Sequence, residues 1–384
     1  MEIDIPINGI KGEIHDEFLL IKSIKPLISI SSAVLNGGVK EIKSIINYYV
    51  KKTYNHKDPI RDLKEIVSAL NLKEEECAGF LTAVKMKNAV WKSKITDKFN
   101  MIVIITGGVS NSMTAGATQN KITQQPGTIN IFVIIDGNLD ISAHINTFSV
   151  ITEAKVAGLI DLDIRGKTGG DIATGTSTDS ILVACTGRGE SIQYSGTSTD
   201  LGRSLCKLVR AMVKKSIMRY HECYSYRSLD LRLIERGISI NDLINGILEL
   251  FVPHPGIANK DKAKKWLEKE FKCIIKDPNV SALVDAGLRL EEDGIKGLIP
   301  TISAEIFQSD PIYLVADEIL GIAIANYIAG TRGVLEFVRF DKKKPGILNK
   351  MGPVLDDILG GLMAGMSSLM YTHSLSHKGV SDVF

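Results

Sequence analysis

Cysteine is scarce in this sequence of 384 residues, and its few copies lie far apart. No two of them form a Cys-x-x-Cys pair; the five are Cys77, Cys185, Cys206, Cys223 and Cys273. This spacing argues against a disulfide framework and against a zinc knuckle. It suits a reducing compartment, and we therefore expect a cytoplasmic protein.

An excess of charge of either sign is missing as well. The chain has 46 Lys and Arg residues against 44 Asp and Glu residues, and these are scattered rather than grouped. No basic surface for nucleic acid or anionic lipid is therefore predicted. The N-terminus lacks the basic start and the apolar run of a secretory signal. We expect small-molecule substrates and no nucleic-acid or membrane partner, and a homo-oligomer stays open.

Uninterrupted apolar runs of membrane-spanning length are also absent. A span needs roughly 20 apolar residues, but residues 313–330 contain Asp317 and Glu318, and residues 358–370 are too few. Both segments are better interpreted as buried helices of a helical bundle.

The length of 384 residues predicts two domains, since a single hydrophobic core rarely grows beyond about 250 residues. Residues 1–225 alternate between strand-like and helix-like segments, which predicts a mixed α/β domain with a β-sheet core. The pattern becomes polar over residues 219–236, and periodic apolar segments then predict an all-α helical bundle over residues 230–384. The predicted strands are 18–35, 101–105, 128–135, 180–185 and 191–194, the last two joined as an antiparallel hairpin. The predicted helices are 73–91, 140–162, 201–220, 241–251, 260–271, 280–290, 313–327 and 355–371.

One five-residue phrase, Gly-Thr-Ser-Thr-Asp, occurs at residues 175–179 and again at residues 196–200. Each copy offers hydroxyl groups and a carboxylate, which can line a polar pocket. Structural alternatives stay open for both copies. Asp200 precedes a predicted helix, where an Asp is often an N-cap, and Asp179 precedes a predicted strand, where turn residues are common.

Several motifs within residues 10–220 together resemble the adenosylcobinamide amidohydrolase family. They are residues 106–111 (TGGVSN), 128–131 (TINI), 152–155 (TEAK), both five-residue phrases, 185–189 (CTGRG) and 201–203 (LGR). The resemblance implies hydrolysis of the amide that joins the aminopropanol arm to the corrin ring. It implies adenosylcobinamide as the substrate, with adenosylcobyric acid and 1-aminopropan-2-ol as the products. No cofactor is expected for this domain.

Amide hydrolysis requires a base or a nucleophile, and donors for the oxyanion. We predict Glu153 as the general base, because its place among apolar and small residues of a helix predicts partial burial and a raised pKa. A surface Glu153 paired with Lys155 or Arg165 is the alternative. Asp179 is a second catalytic candidate. His144 has no apparent Cys or Ser partner in the sequence, and such a histidine is more often a packed or solvated residue than a catalyst.

Four further residues of this half are predicted to bind the substrate. Asn111, Thr176 and Thr197 carry amide or hydroxyl groups at loop positions and can contact the substrate amide or its oxyanion. Arg188 lies between two glycines and is predicted to meet a polar side chain of the corrin. A solvated turn arginine is the alternative for Arg188.

Acidic pairs mark the helical half, at Glu291-Glu292, Asp317-Glu318 and Asp356-Asp357. Adjacent carboxylates on a helix diverge by about 100°, so one member of each pair can face inward. A carboxylate among apolar residues is costly to bury unless a cation neutralises it. Mg²⁺ can do so and can organise a phosphate ester, whereas helix-start or surface positions are the alternative.

Residues 240–371 resemble the phosphatidylglycerophosphatase A superfamily. The motifs are DEIL at 317–320, RFD at 339–341, KPG at 344–346 and VLDDILGG at 354–361. The soluble archaeal branch that acts on α-ribazole 5′-phosphate is the better match, because clear membrane spans are missing. The resemblance implies Mg²⁺-dependent phosphomonoester hydrolysis. It assigns Asp317, Glu318, Asp356 and Asp357 as catalytic residues and metal ligands, and Asp341 and Lys344 as substrate contacts.

The two resemblances imply a bifunctional hydrolase of cobamide salvage, with the domain order of archaeal amidohydrolase/phosphatase enzymes. Two alternatives stay open. The helical half can act on lipid or nucleotide phosphates instead. The N-terminal half can be a corrinoid-binding module without catalysis, fused to a phosphatase acting on another phosphomonoester.

Overall fold

The computed structural model of the chain describes residues 1–117, 127–167, 170–221, 227–254 and 256–376. The chain divides into two units, Met1–Tyr226 and Arg227–Phe384, called here the N-terminal and C-terminal units. The described part of the N-terminal unit is rich in β-sheet, and that of the C-terminal unit is helical. A sheet-rich first half and a helical second half are therefore confirmed.

The described residues of the N-terminal unit form thirteen strands: β1 (Glu2–Ile3), β2 (Ile10–Ile14), β3 (Phe18–Ser31), β4 (Gly38–Tyr49), β5 (Cys77–Thr82), β6 (Val90–Ile95), β7 (Asn100–Gly107), β8 (Ser112–Met113), β9 (Ile129–Asp136), β10 (Asn138–Leu139), β11 (Gly175–Thr176), β12 (Ser180–Cys185) and β13 (Ser191–Ile192). Nine of them form one sheet, with the order β1-β2-β3-β12-β9-β7-β6 and with β4 and β5 continuing from β3. The other four form two small sheets, β8 with β11 and β10 with β13. The helices of this unit are α1 (Pro59–Ala69), α2 (Ile141–Asp161) and α3 (Asp200–His221).

The central strands are covered on both faces, which explains their continuous apolar sequences. Successive side chains of a strand point to opposite faces. Val103 and Val133 accordingly join one core cluster, which also contains side chains of α2 and α3. Ile104 and Phe132 join a second cluster on the other face. The predictions of strands at 101–105 and 128–135 are confirmed on this basis.

The strand register defines two ends of this sheet. β7 runs antiparallel to β9, with Gly107 opposite Ile129 and Asn100 opposite Asp136. β12 runs parallel to β9, so both strands begin at the Gly107 end and finish at the Asp136 end. The two ends lie on the order of 20 Å apart, because a strand rises by about 3.3 Å per residue. α2 begins at the Asp136 end, since Asp140 caps it directly after β10.

Two local predictions for this unit are wrong. Residues 73–91 form no α-helix in the structure. Cys77–Thr82 is instead a buried strand, β5, in parallel register with β4, and it lies between two short 3-10 helices, Glu74–Glu76 and Met86–Asn88. Pairing across the sheet overrides a composition that favours helix. The predicted hairpin of 180–185 and 191–194 is also absent, because Ser191–Ile192 pairs in parallel with Asn138–Leu139.

The C-terminal unit contains seven α-helices among its described residues. They are α4 (Leu229–Ile234), α5 (Ile240–Glu249), α6 (Lys260–Ile274), α7 (Pro278–Ile295), α8 (Ala304–Gln308), α9 (Ala316–Lys343) and α10 (Leu355–Ser376). Their inward side chains share one apolar cluster. The helices predicted near 241, 260, 280, 313 and 355 are therefore confirmed.

α9 is not a straight rod. Ala329 and Gly330 have non-helical backbone angles, and Gly330 has φ 60° and ψ −152°. The chain folds back there, because Phe337 comes within 2.9 Å of a Cβ placed on Gly321. In a straight helix these two residues would be about 24 Å apart. The two arms of α9 thereby bring its first turn and its last turn to the same end. Within the described residues, no helix is both long enough and apolar enough to cross a membrane.

Candidate active sites

The first candidate site lies at the Gly107 end of the sheet. β8 and β11 pair antiparallel there, with Ser112 opposite Thr176. The pairing brings the Asn111 loop against the first copy of the repeated phrase. Asn111 donates from Nδ2 to the Ser177 hydroxyl at 2.6 Å. Its side chain is only 5% exposed, and its Oδ1 has no hydrogen-bond partner among the described residues.

Asp179 anchors the first phrase through four donors. Its Oδ1 accepts the Thr176 hydroxyl at 2.5 Å and the Ile129 N–H at 3.0 Å. Its Oδ2 accepts the Lys155 ammonium at 2.5 Å and the Thr176 N–H at 3.1 Å. Lys155 comes from α2, and the side chains of Lys155 and Asp179 are only 9% and 11% exposed. Because both oxygens are fully engaged, Asp179 is held rigidly, and its two shortest hydrogen bonds come from the Thr176 hydroxyl and the Lys155 ammonium, each at 2.5 Å.

The glycine of the first phrase leaves room for this ion pair. A Cβ on Gly175 would lie 2.5 Å from Asp179 Oδ2 and 3.0 Å from Lys155 Nζ. Both distances are shorter than ordinary contacts of a Cβ atom, so any side chain at position 175 would push the pair apart. The equivalent Gly196 of the second phrase has no atom within 4 Å of such a Cβ.

A buried polar network, which the sequence pattern did not predict, supports the site from within the sheet. Asn47 donates to the Thr106 hydroxyl at 2.9 Å, and Asn130 donates to Asn47 at 2.9 Å. Thr128 donates to the Thr178 carbonyl at 2.7 Å and so connects the sheet to the first phrase. Asparagine and threonine within otherwise apolar strands could have indicated this network, because buried polar groups need hydrogen-bond partners.

Glu153 does not belong to this cluster. The expectation of partial burial is wrong, because Glu153 is exposed. Residues 153 and 155 of a helix are separated by about 200°, so α2 turns Lys155 towards Asp179 and Glu153 to the other side. There the charge of Glu153 contributes to the raised pKa of Cys206, whose main cause is burial. Within the described residues Glu153 forms no ion pair with Lys155 or Arg165, because Lys155 binds Asp179 and Arg165 binds Asp163, each at 2.5 Å.

The second copy of the phrase lies at the opposite end of the sheet. Asp200 binds Lys98 at 3.3 Å, close to Asn100 at the start of β7. Asp200 is not the N-cap of α3, because the Thr199 hydroxyl accepts the Gly202 N–H at 3.0 Å. Thr197 is exposed at this end. The two phrases therefore do not line a common pocket.

Arg188 also lies at the Asp136 end, far from Asn111 and Thr176. It contacts Asp136 at 3.4 Å and donates to the Asn8 carbonyl at 2.8 Å. It is therefore tied to its neighbours rather than freely solvated. The structure thus groups Asn111, Thr176 and Asp179, and separates them from Thr197 and Arg188.

His144 has a cysteine partner that the sequence did not reveal. Its ring contacts the carbonyl oxygens of Asp140 at 2.9 Å and Ile28 at 3.3 Å. Burial acts to lower the pKa of His144, but hydrogen bonds with Cys185 and the Asp140 carbonyl leave it raised. His144 and Cys185 are both fully buried. A substrate cannot reach them in this conformation, so the geometry indicates a packing role.

The second candidate site is an acidic cluster in the C-terminal unit. Asp317, Glu318 and Asp357 each place a carboxylate oxygen within 4.8 Å of the others. Asp317 and Asp357 are buried, and Glu318 Oε2 has no partner among the described residues. Burial and the hydrogen bond with Glu318 raise the pKa of Asp317 to about 7. Burial and the charge of Asp356 raise the pKa of Asp357 to about 8. This oxygen donor set suits a hard divalent cation.

Close helix packing creates the cluster. A Cβ on Gly321, one turn after Asp317, would lie 2.6 Å from the carbonyl oxygen of Asp357. Only glycine lets α9 approach α10 so closely. The first turns of the two helices are therefore adjacent, and their carboxylates converge.

Asp356 and Lys344 form an ion pair beside the acidic cluster. Asp356 thus turns away from the group of three. Lys344 ends α9 in the left-handed conformation, with φ 40°. Half-buried Asp341 lies near, and its charge contributes to the raised pKa of Asp357 after burial and Asp356. The structure therefore places the six predicted residues near one another, but only three of the four predicted metal ligands group their oxygens, and Asp356 binds Lys344 instead.

Comparisons with known proteins match each of the two units to a known family. A family model described as adenosylcobinamide amidohydrolase matches residues 6–225, more than half of the chain. The chain belongs to the adenosylcobinamide amidohydrolase family. A model described as phosphatidylglycerophosphatase A matches residues 297–372. The C-terminal unit thus contains a phosphatidylglycerophosphatase A-like domain, and both units are of hydrolase type.

Individual relatives cover separate parts of the chain. An adenosylcobinamide amidohydrolase of Halobacterium salinarum is 32% identical over 121 residues, which are 30% of this chain and 49% of that protein. An uncharacterised protein of Methanocaldococcus jannaschii is 35% identical over 116 residues, 29% of this chain and 88% of that protein. The crystal structure of the low temperature requirement C protein from Listeria monocytogenes has 29% identity and a TM-score of 0.33. It covers 38% of this chain and 94% of that protein.

Proposed function

We propose that this chain is a bifunctional hydrolase of cobamide salvage. The N-terminal unit cleaves adenosylcobinamide to adenosylcobyric acid and 1-aminopropan-2-ol. The C-terminal unit removes phosphate from α-ribazole 5′-phosphate. The observation that carries the first activity is the convergence of Asn111 with Thr176 and Asp179, which come from two separate family motifs, at one end of the sheet.

We place amide cleavage at this Gly107 end. The unpartnered Asn111 Oδ1 can accept the N–H of the substrate amide, and its carboxamide group can alternatively donate to an oxyanion. The Thr176 hydroxyl already donates to Asp179, so Asp179 is positioned to take its proton as the hydroxyl oxygen attacks the amide carbonyl. The same proton can pass to the amide nitrogen as the C–N bond breaks and 1-aminopropan-2-ol leaves, and water then hydrolyses the Thr176 ester to release adenosylcobyric acid. Lys155 holds Asp179 in place. Glu153 is the competing base, and substitution distinguishes the two.

One observation favours a non-catalytic alternative for this unit. Asp179 already accepts four hydrogen bonds, so neither of its oxygens is free to bind a reacting group. The unit would then bind the corrinoid without cleaving it. Incubation of the whole chain with adenosylcobinamide, followed by chromatography for 1-aminopropan-2-ol and adenosylcobyric acid, decides between the two. Bound corrinoid without either product supports the binding module and contradicts the amidohydrolase.

For the C-terminal unit we propose that Asp317, Glu318 and Asp357 hold Mg²⁺. The three oxygens suit Mg²⁺, and the orphan Glu318 Oε2 lacks any other partner among the described residues. When bound, the ion would neutralise charge on the phosphate ester and assist attack by water. Lys344 is close enough to the cluster to attract a phosphate group, and Asp356 orients its ammonium.

Phosphate release tests the second activity. α-Ribazole 5′-phosphate should release inorganic phosphate in Mg²⁺ and not in excess chelator. A nucleotide monophosphate and a phosphatidylglycerophosphate dispersed in detergent are the competing substrates. Faster release from either of these would reassign the substrate while leaving the phosphatase chemistry in place.

The two activities are expected to lie in separate units. Expression of residues 1–225 and of residues 230–384 should leave amide cleavage in the first fragment and phosphate release in the second. Folded fragments that are both inactive, while the whole chain works, would contradict this division.

A further inference from the structure

Glu291 of α7 binds the start of α10, directly before the acidic cluster. Its Oε2 accepts the N–H of Val354 at 2.9 Å and the N–H of Leu355 at 3.2 Å. The side chain is 5% exposed. The two donors immediately precede Asp356 and Asp357 in the chain. Glu291 is therefore connected to the cluster through two backbone groups.

The first N–H groups of a helix have no partner within the helix, and a side chain normally caps them. α10 receives this cap from another helix. An acceptor from α7 fixes where α10 begins relative to the core. The first turn of α10 also carries Asp356 and Asp357, so fixing its start fixes the direction of both carboxylates.

The segment that precedes α10 passes directly over the carboxylate of Glu291. A Cβ on Gly352 would lie 1.8 Å from Glu291 Oε1. No side chain fits there, and only a glycine lets the segment pass over the carboxylate. The adjacent Glu292 behaves differently, because it binds Arg236 at 2.8 Å. The two neighbouring acids therefore have separate roles.

Glu291 lies outside residues 297–372, the segment that matches the phosphatase family model. We propose that Glu291 is a positioning residue of the acidic cluster. By capping α10 it holds Asp357 within reach of Asp317 and Glu318, and so sets the affinity of the cluster for a divalent cation. This inference rests on the proposed phosphatase function of the C-terminal unit.

The test compares four proteins of full length: wild type, Glu291→Gln, Glu291→Ala and Glu292→Gln. Both backbone donors use a single oxygen of Glu291, and a glutamine keeps one such oxygen with the same reach. Glu291→Gln should therefore retain the cap, whereas Glu291→Ala removes it. Glu292→Gln is the matched control for a lost negative charge on the same helix.

Mg²⁺ binding by isothermal titration calorimetry is the primary measurement, and phosphate release is the second. Glu291→Ala should weaken Mg²⁺ binding by about 10- to 100-fold, the usual effect of residues that orient metal ligands. It should raise the Mg²⁺ concentration needed for half-maximal rate by a similar factor. Glu291→Gln and Glu292→Gln should remain within about threefold of wild type.

Two results would overturn the inference. A folded Glu291→Ala protein that binds Mg²⁺ as wild type does shows that the cap does not position the ligands. Equal losses in Glu291→Gln and Glu291→Ala show that charge, not the cap, matters. If Glu291→Ala fails to fold, Glu291→Asp serves instead, since its shorter side chain should lose the same affinity, and unchanged affinity would again refute the role.

The proposed phosphatase function can be refuted independently of the role of Glu291. Wild-type protein that binds Mg²⁺ but releases no phosphate from α-ribazole 5′-phosphate refutes the assigned substrate. The calorimetric comparison of the variants still decides the role of Glu291 in that case. Conversely, normal phosphate release in all four proteins would support the proposed phosphatase function and refute the positioning role of Glu291.

Discussion

Gly321 and Gly361 are in direct backbone contact between α9 and α10. A Cβ on Gly361 would lie 2.2 Å from the carbonyl oxygen of Gly321. The contact is one turn beyond Asp317 on one helix and one turn beyond Asp357 on the other. The distance between the carboxylates of α9 and those of α10 therefore depends on the lack of a side chain at Gly321 and at Gly361.

We expect Gly361→Ala to reduce Mg²⁺-dependent phosphate release by at least about tenfold. The added methyl group must push α9 away from α10, and overpacking of this kind costs about 1–3 kcal/mol. Amide cleavage by the N-terminal unit should be unchanged. Gly360→Ala is the control, because its Cβ would lie 3.4 Å from Phe337, an ordinary contact. Similar activity in both variants would argue against the role of helix approach.

The buried carboxyl groups predict a stability that falls as pH rises in the absence of metal. Asp317 has a pKa raised to about 7 and Asp357 a pKa raised to about 8, whereas Asp in an unfolded chain titrates near 4. Between these values the folded state binds more protons than the unfolded state, so the free energy of unfolding decreases from about pH 4 to about pH 8. Mg²⁺ competes with the protons, so its binding should strengthen over the same interval.

Thermal denaturation in chelator between pH 5 and pH 8.5 measures this dependence. The unfolding midpoint of the C-terminal unit should fall with pH, and added Mg²⁺ should restore it at the alkaline end. Asp357→Asn removes one titrating group and should flatten the curve. A midpoint that rises with pH in chelator would contradict the buried carboxyl interpretation.

The sequence correctly predicted those helices and strands whose apolar pattern matches the faces that they bury in the folded chain. β7 and β9 are short β-branched runs buried on both faces, and α3 has a regular apolar face, so their types followed from pattern alone. Residues 77–82 could not be assigned in this way. Their sequence, CAGFLT, favours no strand by itself and becomes one through pairing with β4.

Part of the candidate sites was likewise accessible from sequence. Carboxylates within apolar helices indicated the pairs Glu291-Glu292, Asp317-Glu318 and Asp356-Asp357, because such groups are rarely buried unless they are paired. The pattern could not show that Asp356 binds Lys344 rather than joining the other ligands. The first phrase indicated Thr176 and Asp179. Their partner Lys155 and the exposure of Glu153 depend on the rotation of α2 against the sheet, which only the folded chain defines.

A pair of substitutions distinguishes the two candidate bases for amide cleavage. Asp179→Asn should lower turnover by about 100-fold or more, because the carboxylate that accepts the Thr176 proton and binds Lys155 is lost. Glu153→Gln should change turnover by less than about twofold, because Glu153 is exposed on the other side of α2. Liquid chromatography of 1-aminopropan-2-ol measures both. The opposite ranking would return the role of base to Glu153.

The repeated phrase supplies its own control for the location of the amide-cleaving site. Gly175→Ala introduces a Cβ 2.5 Å from Asp179 Oδ2, so it must separate Asp179 from Lys155 and displace Thr176. Gly196→Ala makes the same chemical change in the second phrase, where no atom lies within 4 Å of the new Cβ.

If cleavage occurs at the Gly107 end, Gly175→Ala should lose at least about 90% of amide cleavage, as expected when catalytic groups are misplaced by about 1 Å. Gly196→Ala should keep nearly all of it, and phosphate release should be normal in both. Cleavage that survives Gly175→Ala but is lost in Gly196→Ala would move the site to the Asp136 end, beside Thr197 and Arg188.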